Sequence, residues 1–223
     1  MKSVWLGLDA PPLLAFGSNH WLHQDAAPDF LSMQREAQAD GVDLQLVSSY
    51  RDFHRQLAIW NRKWLGNATL FSRSGDVLAF ETLSETDKLH AILTWSALPG
   101  TSRHHWGTDI DVYDKQAVQS WSGSFELVDA EYCQGGPCYA LADWLDRNAG
   151  RFGFHRPFLH DKGGVAVEKW HLSHTATAQS MECERDVHSL TQTLYEHDIL
   201  GKAVILDNIE QIFDRYVMNK GER

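Results

Sequence analysis

Segments with the patterns of strands and of helices follow one another along this chain in irregular order, without a repeated strand–helix–strand unit. A parallel sheet needs long crossover connections between its strands, usually helices in regular alternation. The order therefore predicts an α+β fold with a mainly antiparallel sheet, flanking helices and a helical C-terminal appendage. We expect residues 1–180 to form the main domain and residues 181–223 to be an extension packed on it.

Local patterns place the individual elements. Enrichment in β-branched and aromatic residues, with polar and apolar residues alternating, predicts three strands, at residues 44–50, 108–113 and 166–172. Helical spacing of apolar residues predicts helices at residues 30–40, 52–65, 86–98, 139–148, 183–197 and 202–216. Asp29 is available as the N-cap of the first helix, and Gly66 as the stop of the second. Residues 67–84 are typical of a loop or small hairpin.

Composition excludes several classes of protein. A net charge of −10 over 223 residues argues against nucleic acid or an anionic membrane as the main partner. No stretch approaches 18 consecutive apolar residues, so no membrane span is predicted. Asp9 and Pro11-Pro12 interrupt the N-terminal apolar run before it can serve as a signal-peptide core, which favours the cytoplasm, with the periplasm or cell envelope as the alternative. Three cysteines are too few for a disulfide scaffold, and the odd number favours free thiols.

Residues 99–111, PGTSRHHWGTDID, carry the densest group of chemically active side chains. A catalytic zinc site needs three protein ligands and one open position. His104 and Asp111 can meet only if the chain turns between them, and Gly107 is placed to permit that turn. Composition leaves the choice open between His104 and His105, and between Asp109 and Asp111. The alternative is a polar turn without a metal.

Two other segments have polar residues that could belong to a catalytic or binding site. Glu168 and His171 would face opposite sides of a strand, unless the strand ends or bends between them. Arg51 lies where a strand passes into a helix, followed by Gln56. A buried guanidinium binds a carboxylate through two parallel hydrogen bonds, so Arg51 indicates either recognition of an anionic group or an ordinary surface ion pair.

Together the three segments resemble a known family, the zinc D,D-carboxypeptidases of the vancomycin-resistance VanY type, relatives of lysostaphin and the Sonic hedgehog domain. The family pattern Ser-x-His-x-x-Gly-x-Ala-x-Asp is matched by SRHHWGTDID at residues 102–111, and Glu-x-Trp-His by EKWH at residues 168–171. The upstream Ser-x-Tyr-Arg, with a glutamine five residues after the arginine, is matched by SSYR at residues 48–51 and by Gln56. Asp109 departs from the pattern, since it stands where the family usually has alanine.

The resemblance implies a role for each matching residue. It implies a catalytic Zn²⁺ in the domain of residues 1–180, with Glu168 as the general base. The implied zinc ligands are His104, Asp111 and His171, and the implied substrate contacts are Arg51, Gln56 and Ser102. The implied partner is a peptidoglycan stem peptide or muropeptide ending in D-alanine, bound through its C-terminal carboxylate.

Several alternatives stay open at this point. D,D-carboxypeptidase activity is favoured, and an L,D-carboxypeptidase or an endopeptidase could share the same zinc site. A non-catalytic, zinc-containing peptidoglycan-binding module is the alternative from another class, and the presence of Glu168 argues against it. A metal-independent hydrolase using Ser102 is disfavoured because no nucleophile-elbow pattern surrounds that serine. Of the other histidines, His105 is expected to point away from the site and His174 to be structural.

Overall fold

The structure is a computed structural model that describes residues 2–220, and it confirms the α+β class. Its helices are α1 (Lys2–Trp5), α2 (Ala27–Ala39), α3 (Phe53–Trp64), α4 (Glu85–Trp95), α5 (Lys115–Ser120), α6 (Tyr139–Asn148), α7 (Thr175–Cys183), α8 (Val187–Glu196), α9 (Lys202–Asp207) and α10 (Ile209–Ile212). Its strands are β1 (Leu13–Phe16), β2 (His20–His23), β3 (Leu44–Ser48), β4 (Asp109–Asp114), β5 (Phe154–His155) and β6 (His171–His174). Short 3-10 turns lie between several of these, including Arg103–Trp106 just before β4.

The larger of two sheets carries the centre of the molecule. Its strand order is β3–β4–β6–β5, and every neighbouring pair is antiparallel, as predicted; β1 and β2 form a separate hairpin. In the β4–β6 pair, Asp111 lies opposite His171, and Ile110 lies opposite Leu172. Side chains alternate between the faces of a strand, so Ile110 and Leu172 enter the core while Asp111 and His171 share the opposite face.

Two hydrophobic clusters hold the helices in place. One packs α2 and α6 against the sheet, with Phe30 and Leu141 fully buried. The other joins α1, α3 and α4 to the C-terminal helices, with Trp60 and Leu190 among its fully buried members. Burial of such side chains stabilises the fold by roughly 1.5–3 kcal/mol each. The second cluster therefore connects the C-terminal helices to the helix that follows Arg51.

Most predicted boundaries agree with the structure within a few residues. Helix α6 has the predicted bounds, and α3 begins after Asp52, whose carboxylate accepts from the Arg55 backbone N–H. Gly66 adopts a left-handed φ of 76°, as a helix stop requires. The N-cap prediction for Asp29 is wrong: α2 begins at Ala27, with Pro28 in its first turn, because proline fits the first helical positions and extends the helix upstream. Within residues 67–84, Phe71 and Val77 pair as a small hairpin.

The predicted strand at residues 166–172 is wrong in position. The strand is His171–His174, and the residues before it form a turn in which the His171 N–H donates to the Glu168 carbonyl at 3.2 Å. The alternating pattern of AVEKWHL begins before the first residue that pairs with β4, so the pattern placed the start of the strand too early. This turn supplies the bend that Glu168 and His171 need to reach one side.

The C-terminal region is helical, but more broken than predicted. Cys183 ends α7 rather than beginning a helix, and the segment predicted as 202–216 is interrupted at Asn208. The division at residue 180 stays a prediction. None of the helices in residues 2–220 is long and apolar enough to cross a membrane. The three cysteines are unpaired, Cys138 being buried and Cys183 exposed.

Candidate active site

Three predicted side chains converge on one point at the end of the sheet. Donor atoms of His104, Asp111 and His171 all lie within 4.8 Å of one another, and the three residues are buried. Asp111 and His171 come from the paired strands β4 and β6, and His104 comes from the 3-10 turn. Gly107 makes the intervening turn with a φ of 66°, and a Cβ there would lie 2.7 Å from Leu13 Cδ2. The sequence predicted this turn, and the fold contains it.

The outer nitrogen of each imidazole is held by a hydrogen bond on the side away from the cluster. His104 Nδ1 is 3.1 Å from the Ser49 carbonyl, and His171 Nε2 is 3.0 Å from Asp109 Oδ1. This leaves His104 Nε2 at 3.3 Å from one Asp111 oxygen and His171 Nδ1 at 3.2 Å from the other. The fold therefore directs two nitrogens and a carboxylate toward a common centre.

These three residues have the donor types and spacing that zinc takes. Imidazole nitrogen and carboxylate oxygen are common ligands of catalytic zinc, and donors about 2.0 Å from a tetrahedral ion lie roughly 3.3 Å apart. Asp111 Oδ1 is buried without a hydrogen bond of good geometry within residues 2–220, although His171 Nδ1 lies nearby. A buried carboxylate oxygen left in this way is costly unless a cation occupies the site. The cluster fits a zinc ion.

Electrostatics in the cluster favour an ionised carboxylate. Burial alone would raise the pKa of Asp111, but His104 and His171 outweigh it and hold that pKa far below its usual range. Burial lowers the pKa of His104, although Asp111 opposes the shift. Burial also disfavours charge on His171, yet its close contacts with the carboxylates of Asp109, Asp111 and Glu168 raise its pKa well above the ordinary value. The negative potential around His171 is what a cation at this position would neutralise.

Glu168 lies beside the cluster and faces an open cleft. Its Oε2 is 3.4 Å from His171 Nδ1, and its side chain is 13% exposed. The turn before β6 brings it there, and its backbone N–H donates to the Phe158 carbonyl at 2.9 Å. A carboxylate beside these three side chains, in contact with solvent, is in position to take a proton from a water in the cleft.

Arg51, Gln56 and Ser102 form one wall of the same cleft. An Arg51 Nη donates to Ser102 Oγ at 3.4 Å, and Arg51 Nε has no partner within residues 2–220. Gln56 is 1% exposed; its amide N–H donates to the Ala97 carbonyl at 2.7 Å, while its Oε1 lacks a partner in the same range. The structure therefore groups all three predicted substrate contacts, with free hydrogen-bonding capacity on two of them.

The cleft measures about 1110 Å³, at the upper end of ligand sites. Residues from α3 and α4, from the loop at residues 155–168 and from the C-terminal segment line it together with the cluster. Its size admits several residues of a peptide rather than one amino acid. The C-terminal segment forms part of its wall through Tyr216 and Val217.

Sequence reasoning missed Lys63 in this cleft. Lys63 lies two turns beyond Gln56 on α3, and its Nζ donates to Ser96 Oγ at 2.6 Å. Burial lowers its pKa to about 8, with Arg62 and Arg51 adding to the effect and Glu168 opposing it. The seven-residue spacing from Gln56 puts both residues on one helix face. That spacing was the available signal.

Two histidines close to the cluster in the sequence, His105 and His174, have structural contacts. His105 is fully buried, with Nδ1 2.5 Å from the Arg51 carbonyl, and burial lowers its pKa to about 3. His174 contacts Asp29 at 3.0 Å and Thr177 at 2.9 Å. Trp106 donates to the Trp5 carbonyl in the core rather than lining the cleft. Both histidine expectations agree with these contacts.

Comparison with known proteins identifies the family. The family model for VanY, D-alanyl-D-alanine carboxypeptidase, matches residues 19–177, well over half of the chain. The chain belongs to this family. The family is one of carboxypeptidases, and its similarity to this chain supports a peptidase that acts on peptidoglycan.

The individual relatives and solved structures have low sequence identity to this chain. An uncharacterised protein of Haemophilus influenzae is 31% identical over 127 residues, which cover 56% of this chain and 96% of that protein. A D-alanyl-D-alanine carboxypeptidase of Enterococcus faecalis is 31% identical over 138 residues, covering 60% of this chain and 41% of that protein. The solved structure of a variant of the vancomycin-resistance D,D-pentapeptidase VanY, in complex with Zn(II), has a TM-score of 0.55 at 23% identity and covers 88% of this chain and 90% of that one. At this identity, the structural similarity shows the VanY fold.

Proposed function

We propose that this VanY-family protein is a zinc-dependent carboxypeptidase that removes a C-terminal D-alanine from peptidoglycan stem peptides, with D,D specificity favoured. The observation that carries the proposal is the convergence of His104, Asp111 and His171 beside Glu168, in a cleft with an unsatisfied arginine. The family description and the zinc complex of the VanY neighbour support it.

His104, Asp111 and His171 would hold the zinc ion. When bound, zinc polarises the carbonyl of the scissile peptide and lowers the pKa of a coordinated water. Two neutral imidazoles and one carboxylate leave a net positive charge at such a centre. Asp111 is kept ionised by the two histidines, as ligation requires.

Glu168 would act as general base and then as general acid. Its carboxylate takes one proton from the attacking water, whose oxygen bonds to the carbonyl carbon. When the C–N bond breaks, Glu168 returns that proton to the departing amine, so the products are a shortened peptide and free D-alanine. The partly exposed side chain beside His171 can reach both positions.

Arg51 would bind the substrate's terminal carboxylate. Arg51 and Lys63 both face the cleft, and neither has a carboxylate within 4.0 Å among residues 2–220. Two cations without acidic partners favour an anionic ligand, even though the protein's net charge is −10. An exopeptidase must recognise a free terminus, and a guanidinium does so through paired hydrogen bonds.

The test is hydrolysis of defined muropeptides by the zinc-loaded protein. A pentapeptide ending in D-Ala-D-Ala, a tetrapeptide ending in an L-centre–D-Ala bond and a cross-linked dimer would be incubated separately and analysed by mass. Release of one D-alanine from the pentapeptide alone is the expected result. Cleavage of the tetrapeptide or the dimer instead would replace the D,D assignment by the L,D or endopeptidase alternative.

The binding-module alternative predicts a different outcome. Such a protein would retain muropeptides without changing their mass, with or without zinc. The position of Glu168 beside the cluster favours catalysis, because a module that only binds has no need of a base there. Failure to cleave any of the three muropeptides, despite stoichiometric zinc, would overturn the enzyme proposal.

A further inference from the structure

Asp109, the residue that departs from the family pattern, contacts the cluster from behind. Its side chain is completely buried, and its Oδ1 is 3.0 Å from His171 Nε2. Asp109 precedes Asp111 by two residues on β4, and it is paired with Ser173 across the ladder. It therefore lies next to His171 on the side opposite the cleft.

The carboxylate of Asp109 is held by several donors. Arg103 Nε donates to Oδ1 at 2.6 Å, Thr108 Oγ1 donates to Oδ2 at 2.6 Å, and Ser173 Oγ donates to Oδ2 at 3.1 Å. Arg103 also donates to Ser173 Oγ at 2.8 Å. A buried carboxylate with this many donors is held in one orientation. The Asp109 oxygen that accepts from His171 is therefore fixed in position.

Arg103 extends the network to the C-terminal helices. Its Nη1 is 2.5 Å from Glu182 Oε1. Glu182 lies on α7, beyond the last residue of the family match. The Arg103 side chain is 11% exposed and that of Glu182 is 33% exposed. A continuous path of charged contacts therefore joins α7 to His171 through Glu182, Arg103 and Asp109.

We infer that Asp109 is a positioning residue that fixes His171 for metal binding, and that Glu182 on α7 reinforces it through Arg103. This inference rests on the proposed zinc site. A neutral imidazole carries one N–H, and a hydrogen bond from Nε2 to a carboxylate leaves the Nδ1 lone pair facing Asp111 and Glu168. Helix α7 thus contributes to the metal site without supplying a ligand.

Zinc affinity of the purified protein tests the inference without any substrate. Competition with a chromophoric chelator gives the dissociation constant for wild type and for Asp109→Asn, which keeps shape but removes charge. We expect Asp109→Asn to bind zinc about 10- to 100-fold more weakly, the range for partners that orient a ligand. Glu182→Gln should weaken binding by about two- to fivefold, since its ion pair is partly exposed.

Two matched measurements separate positioning from general stability. Asp207→Asn removes an exposed carboxylate from α9 and should leave zinc affinity unchanged. Long-range ¹H–¹⁵N NMR of the zinc-loaded wild type should show His171 protonated at Nε2. A lowered melting temperature with wild-type zinc affinity in Asp109→Asn would make the network structural only and overturn the inference.

The outcomes also distinguish this inference from the proposed function. If Asp109→Asn fails to fold, the NMR of wild type and the affinity of Glu182→Gln decide: protonation at Nδ1, or unchanged affinity, rejects the inference. Weakened zinc binding with no hydrolysis of any muropeptide by wild type rejects the function and keeps the inference. Normal hydrolysis by wild type, with unchanged zinc affinity in Asp109→Asn and Glu182→Gln, keeps the proposed function and rejects the inference.

Discussion

Asp111 and His171 face each other directly across β4 and β6, with a carboxylate oxygen 3.2 Å from Nδ1. Cross-strand neighbours are held at fixed separation by the ladder, so the two proposed ligands are positioned before any metal binds. His104 reaches them from a turn that Gly107 closes. Site formation therefore depends on strand pairing more than on loop flexibility.

Zinc should stabilise the folded protein. A ligand at 100 times its dissociation constant adds about 2.7 kcal/mol to stability, which for a chain of this size is a rise of roughly 5–10 °C in Tm. His104→Ala should abolish the rise, whereas His188→Ala, an exposed histidine on α8, should retain it. Thermal melts with zinc and with a chelator measure this. A zinc-dependent rise that persists in His104→Ala would remove His104 from the ligand set.

Glu168→Gln should lose hydrolysis while keeping zinc. The amide cannot accept the proton from water, so kcat is expected to fall by about 10²- to 10⁴-fold. Metal content by elemental analysis should remain one zinc per chain, because the three ligands are untouched. Glu210→Gln, an exposed glutamate on α10, is the control and should be fully active. Near-normal turnover in Glu168→Gln would assign the base to another residue.

Arg51→Ala should remove discrimination between a free and an amidated C-terminus. Wild type is expected to prefer the carboxylate, and truncating one partner of a buried charge pair costs about 2–5 kcal/mol, or at least roughly 30-fold in kcat/KM. The amidated peptide should be cleaved equally slowly by both proteins. Arg55→Ala, an exposed arginine in the first turn of α3, should behave as wild type. Equal losses on both peptides in Arg51→Ala would argue for a structural role instead.

Lys63 should make substrate capture pH-dependent. Its pKa is lowered to about 8, so below that pH the side chain is charged and attracts an anionic peptide, and above it the attraction is lost. The charged groups that act on it are Glu168, Arg62 and Arg51. We expect kcat/KM to decline as pH rises through about 8, a quantity that reports the free enzyme.

Lys63→Met isolates that effect from other titrations. The variant should lack the decline near pH 8 and should have a lower kcat/KM than wild type at pH 7. Lys115→Met, with an exposed lysine at the start of α5, should keep the wild-type profile. An unchanged alkaline limb in Lys63→Met would show that another group controls it.

Prediction from the sequence succeeded where the signal is local. Helix α6 has the predicted bounds because its residues have a helical pattern and Gly150 and Gly153 mark its end. The strand before His171 was misplaced because alternation cannot show where pairing begins, and Asp29 was misassigned because a proline one residue earlier extends the helix. Pattern also could not show that the C-terminal segment reaches the cleft.

By itself, the sequence determined the α+β class, the order of the three motifs and the family to which they point. Only the tertiary structure shows that the chain turns between Glu168 and His171 and that Gln56 and Arg51 line one wall of the cleft. It also shows that Asp109 contacts His171 on the side away from the cleft. The physical reason is separation along the chain: Asp109 and His171 are 62 residues apart, and Arg103 and Glu182 are 79 apart. Contacts of that range arise from strand register and helix packing, which no local pattern specifies.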